Sequence, residues 1–174
     1  MVRSALASRG TGLTRGPHRA SLSIPAITVL LGSLTAVLPI VSLHGWWPDA
    51  GLLMLLAWRL LRADAWAAWL AAPLGLMHDL LTGSPVGLSM ALWPMFMLAL
   101  DVADRRTMWR DYWIEWLLAA LFLSLAEIAQ WQVAMWDGAA VPFATIAPAI
   151  LIAIFCFPLA ALLVARIDHW RLGR

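Results

Sequence analysis

The sequence predicts an all-α protein: a polytopic membrane bundle of six transmembrane helices. Three observations carry that expectation. The chain of 174 residues is 63% hydrophobic and only 13% charged, about half the charge of a soluble domain, and its mean hydropathy is +0.81. At ~30 residues per helix and loop, it has room for five or six spans of ~20 residues. All 12 basic residues other than His are Arg, and they cluster in alternate loops. A soluble globular domain, a disordered chain and a coiled coil are excluded. Little chain is left for a water-soluble domain, so function belongs in or beside the bilayer.

Residues 1–24 carry Arg3, Arg9, Arg15 and Arg19 among Gly, Ser and Thr, with no acid. They read as a flexible basic cytoplasmic tail, an organelle presequence being the alternative. The transmembrane domain is expected over 25–166. Its first span, approximately 25–43, has Pro25 at its start and runs into His44-Gly-Trp-Trp-Pro48-Asp49 without the cleavage site of a signal peptide. The second and third spans, 48–61 and 63–81, are short and joined tightly near Arg59 and Arg62. Read as one long element, they would bury both arginines at mid-depth, at about 2.5–3.5 kcal/mol each. Thr82-Gly-Ser-Pro85 signals a turn, and the fourth span follows at 86–102. A polar loop with Arg105, Arg106 and Arg110 leads to the fifth span at 112–136. Asp137-Gly138 turns into the sixth at 139–165, and 167–174 forms a short cytoplasmic tail.

Arginine placement sets the topology. With six spans and the N-terminus inside, every Arg falls on the inner side. The outer loops hold Asp49 and Asp137 instead, as the positive-inside rule requires. Arg59, Arg62, Arg105, Arg106 and Arg110 are the topology-determining residues, and both termini are cytoplasmic. The 12 Trp suit the water–lipid boundary. The series Trp109, Trp113, Trp116 has the spacing of a helix anchor.

Chemistry is sparse. The one Cys, Cys156, forms neither an internal disulfide nor a paired metal site. His18, His44, His78 and His169 are scattered, and no metalloprotease, hydrolase or phosphate-loop motif occurs. No catalytic residue, metal or cofactor is expected. Gly75, Asp79, Gly83 and Gly87 recur every four residues. On a helix Gly75 and Asp79 share a face, and Gly75 with Ala71 and Ala72 makes a surface that another helix can approach closely. Asp79 is either a ligand, proton or partner site, or a carboxylate that ties the hairpin to free N–H groups at the start of the fourth span. Glu127 and Gln130 share a face of the fifth span, as a polar patch lining a pocket or as interhelical hydrogen-bonding groups.

Gly75-x-x-x-Asp79-x-x-x-Gly83-x-x-x-Gly87, with the chain length, the Pro48-Asp49 start of an apolar second span and the charge layout, resembles the MreD family. That family is the membrane component of the bacterial rod-shape (elongasome) system. The likeness extends over residues 26–170, and the basic tail has no counterpart in it. It implies a non-enzymatic scaffold of the inner membrane. The implied direct partner is an MreC-like protein. RodA, the elongation transpeptidase and MreB are implied as direct or indirect partners, with membrane lipid and without nucleic acid. It also implies the fold of the substrate-binding S-components of energy-coupling-factor transporters. The rival class is a vitamin- or lipid-binding subunit of a transporter, which predicts an outward polar cavity lined by Asp79, Glu127 or Gln130. Fold likeness alone does not transfer transport.

Overall fold

The computed structural model describes residues 19–38, 47–62, 67–106, 111–138 and 142–172. Over these it is all-helical, with six α-helices: α1 (Arg19–Leu34), α2 (Ala50–Leu61), α3 (Ala71–Thr82), α4 (Leu88–Arg106), α5 (Tyr112–Trp136) and α6 (Ala147–Leu172). Short 3-10 turns follow α1 and precede α3 and α6. Tyr112–Trp136 and Phe143–Trp170 are long and apolar enough to cross a membrane. Ser23–Val37 and Ala50–Leu61 are shorter apolar helices.

Helix ends follow local chemistry. The Asp49 carboxylate accepts from Leu52 N–H at 2.9 Å and caps α2, satisfying one of the donors that a helix start leaves open. Gly83 ends α3 in the left-handed region. Pro158 lies inside α6 and cannot donate to the carbonyl four residues back. That carbonyl, of Ile154, accepts from Trp116 Nε1 of α5 at 3.1 Å. The indole thus replaces the missing backbone donor and pins α5 to α6.

The core is built around α2. Every residue from Gly51 to Leu60 is buried, enclosed mainly by α1 and α6. Trp58 is fully buried, and its Nε1 donates to Thr28 Oγ1 of α1 at 2.8 Å. Gly32 lets α1 cross at van der Waals distance, since a Cβ there would stand 2.7 Å from the Ala50 carbonyl oxygen. Outward faces stay apolar: Leu98, Leu117, Phe155 and Leu162 are all exposed.

The helices alternate in direction. Ser33, Asp49, His78, Gly83 and Gly87 gather at one end of the bundle, joined by contacts across α1, α2, α3 and α4. Arg59, Arg62, Asp101, Asp104 and Asp168 gather at the other.

Several boundaries differ from the expected spans. The first helix starts at Arg19 and takes Pro25 into its interior, as its seventh residue, where the ring cannot donate to the carbonyl four residues back. Its expected continuation to 43 lies partly outside the described residues, as does most of the 1–24 tail. The fourth helix runs through Arg105 to Arg106, because Asp101 and Asp104 are held against Arg59. The sixth starts at Ala147 and continues to Leu172, through residues expected to form the tail. Asp168 on that extension is held by Arg62, whose Nε donates at 2.7 Å. Arg110 and Trp109 lie outside the described residues.

Candidate functional site

The site begins with the repeated glycines, and each residue of the motif does different work. Gly75 provides space. A Cβ there would lie 2.4 Å from the Ser89 carbonyl oxygen and 2.8 Å from Met90 N, so α3 and α4 meet backbone to backbone. Gly83 and Gly87 provide conformation. Their φ values are +70° and +100°, and a Cβ at either position would meet nothing within 4 Å. L-residues adopt such backbone at a cost of about 1–2 kcal/mol.

Asp79 is fully buried and belongs to the same hairpin. Its carboxylate accepts from Gly87 N–H at 2.9 Å and from Ser89 N–H at 3.1 Å, with Met90 N–H at 3.4 Å. It caps α4 from the preceding helix. The buried charge is offset by charge-assisted hydrogen bonds and the positive end of a helix dipole. Asp79 is therefore engaged in tying the hairpin.

These different roles separate on substitution. Gly75→Ala is expected to destabilise by about 2–3 kcal/mol, because two backbones must part. Gly83→Ala is expected to cost about 1–2 kcal/mol through backbone strain alone, and Gly83→Asn less, since Asn tolerates the left-handed region. Unfolding curves of the purified protein check the order; equal costs for Gly83→Ala and Gly83→Asn would remove the strain argument.

A polar junction that the sequence did not reveal sits beside the hairpin. His78 Nδ1 is 2.9 Å from Ser33 Oγ, and Nε2 is 3.4 Å from Asp49 Oδ2. His78 also packs on the buried Trp93, with ring centroids 5.0 Å apart. Ser33 Oγ also lies 3.1 Å from the Val29 carbonyl oxygen of its own helix, so its single proton serves either that carbonyl or Nδ1, and Nε2 faces Asp49. The order Ser–His–Asp has the outline of a nucleophile relay. Yet Ser33 and His78 are buried, and a single methyl at Gly51 would meet Ser33 Oγ at 2.4 Å. A substrate has no room there. The junction locks α1, the α2 cap and α3 together. The sequence separates its members by 16 and 29 positions, so only the Ser and His within apolar helices hinted at it.

Glu127 and Gln130 do line a cavity. It is an open recess of about 580 Å³ between the α3–α4 turn, at Gly83 and Pro85, and the second half of α5, at Trp131 and Asp137. Trp131 meets Phe143 edge to face, with centroids 5.5 Å apart. Glu127 is within electrostatic reach of Asp49. Asp79 does not line this cavity; its oxygens are taken by α4.

At the opposite end, Arg59 is buried. Its Nη2 pairs with Asp101 and, at 2.9 Å, with Asp104. Arg105 is exposed. These two arginines thus differ: Arg59 is locked inside the bundle, and Arg62 pairs at its edge with Asp168.

The chain matches no protein-family model, no curated protein and no solved structure.

Proposed function

We propose that the chain is a non-enzymatic, multi-pass scaffold of the bacterial inner membrane, of the MreD type. In this reading it holds an MreC-like partner and helps to organise lateral peptidoglycan synthesis, with RodA, the elongation transpeptidase and MreB in the same assembly. All six helices cross the bilayer, both termini are cytoplasmic, and the fold is that of an energy-coupling-factor S-component.

The observation that carries the reading is the α3–α4 hairpin. Its four motif residues are committed to backbone approach, turn conformation and a buried cap. That produces a rigid platform, and rigidity favours docking by reducing the ordering that binding must impose. The platform presents Met77 and Leu80 on α3, with Met95 and Leu98 on α4, all exposed. A single partner helix fits such a face through close van der Waals packing. The second helix is enclosed from Gly51 to Leu60 and offers no face to a partner.

Two features support six crossings. The alternating helices put Arg59, Arg62 and Arg105 at one end and Asp49 and Asp137 towards the other, as orientation by positive charge requires. The short α2, with 12 residues, spans roughly 18 Å as a helix. Between its ends, from Gly51 to Leu60, protein and not lipid surrounds it.

The test uses substitutions on the exposed face, which leave the hairpin intact. Leu80→Trp and Leu98→Arg are expected to reduce co-purification of an MreC-like partner at least five-fold and to widen rod-shaped cells, with the thermal unfolding of the Leu80→Trp protein unchanged. Full partner recovery and normal cell width with both variants would remove the docking role. A nutritional requirement with normal shape on deletion would favour the transport class.

A further inference from the structure

We propose that the cavity between the α3–α4 turn and α5 binds an organic ammonium group, with Glu127 as its anionic contact. The inference is independent of the docking face, which lies on the outer side of the hairpin.

The cavity is lined by Glu127, Gln130, Trp131 and Asp137, with Gly83 and Pro85 closing one side. Among the described residues, two carboxylates and no cation line it. Among the described residues no ion pair reaches either carboxylate: the pairs present join Arg59 to Asp101 and Asp104, Arg62 to Asp168, and His78 to Asp49. Asp49 adds its field to that of Glu127. An unpaired carboxylate in a partly desolvated recess is costly when ionised, so a cation that pairs with it stabilises the ionised form, and Arg59 and Arg62 are held at the far end.

Three features choose the class of counter-charge. The volume, about 580 Å³, is that of a small-molecule site and far exceeds a bare ion. Trp131, braced edge-on by Phe143, supplies an indole of the kind that attracts cationic nitrogen. Gln130 stands one turn from Glu127 and offers a carbonyl oxygen to an N–H donor. An anionic ligand would face Glu127 and Asp137 without compensation. Glu127 lies nine residues from the end of α5 at Trp136, roughly 14 Å along the axis, a depth that a headgroup or a free amine can reach from the bundle's end.

An ammonium of this kind comes from a lipid headgroup or from a soluble amine, and the experiment separates them. The full-length protein, stripped of lipid in detergent, is titrated with phosphatidylethanolamine or phosphatidylglycerol and read by native mass spectrometry. Ethanolamine and choline are titrated in parallel by calorimetry. Expected is at least ten-fold tighter binding of phosphatidylethanolamine than of phosphatidylglycerol, or saturable binding of a free amine, and at least ten-fold weakening of whichever occurs in Glu127→Gln. Glu115→Gln, near the opposite end of α5, leaves it unchanged. Lipid binding without amine binding assigns a headgroup; amine binding assigns a soluble ligand. Equal affinity for both lipids with no amine binding overturns the proposal, as does a folded Glu127→Gln protein that binds normally. If Glu127→Gln does not fold, Gln130→Leu and Asp137→Asn take its place, and undiminished binding in both overturns it.

Discussion

Asp79→Leu is expected to destabilise the protein by about 3–5 kcal/mol, the cost of removing one partner from a buried, charge-assisted network. The carboxylate serves Gly87 and Ser89 N–H together, and its residue is completely shielded from solvent. Leu fills the volume but leaves these donors unpaired in apolar surroundings, at about 1–3 kcal/mol each. Asp79→Asn is more instructive. The amide keeps one acceptor oxygen, and its NH₂ is turned against a backbone N–H, so a cost of about 1–3 kcal/mol is expected. Because the cap joins α3 to α4, the loss is local before it is global. Amide exchange at Gly87, Ser89 and Met90 should accelerate in Asp79→Asn at denaturant concentrations where the Trp58 region is still protected. Unfolding of Asp79→Leu within about 0.5 kcal/mol of the parent, in detergent micelles, would show that the hairpin is held by something else.

The capping role of Asp79 was legible in the sequence as one of two alternatives, because the spacing of four puts it beside Gly75 and the turn at Gly83-Ser-Pro85 fixes where the next helix starts. The all-helical class was legible for a coarser reason: an apolar chain of this composition must satisfy its backbone locally. The central position of α2 was not legible. A uniformly apolar stretch such as Leu52-Leu-Met-Leu-Leu-Ala57 looks the same whether lipid or protein surrounds it, since both are apolar and periodicity is silent. Nor was the Ser33–His78–Asp49 junction legible. Its residues come from three elements, and only the folded chain places Nδ1 and Nε2 between them. The Trp116–Ile154 bond had a readable half: Pro158 announces an orphaned carbonyl, but not which donor reaches it.

Arg59 and Arg62 carry the same charge at the end of the same short helix, three residues apart, yet their replacement should have different effects. Arg59→Met is expected to cost about 1–3 kcal/mol, because the guanidinium is buried while Asp101 and Asp104 are partly open to water. Its side chain is 3% exposed, against 36% for Arg62. Asp101 and Asp104 share a face of α4 at a spacing of three, and both point at Arg59 Nη2. Removing the guanidinium leaves two like charges together on that face. Arg62→Met breaks a pair open to water, and such pairs contribute about 0–1 kcal/mol. Asp168 of α6, only 10% exposed, places the expected cost at the upper end of that range. A double-mutant cycle isolates the buried contact. Arg59→Met with Asp101→Asn should show coupling above about 1 kcal/mol, and near-additive costs would refute a direct interaction. The comparison separates two duties that one residue type performs here. Exposed arginines such as Arg105 remain available to anionic headgroups and to the sorting that orients a membrane chain. Arg59 is committed to its two aspartates, so its loss should be read first in stability, and only through stability in the arrangement of α2 and α4.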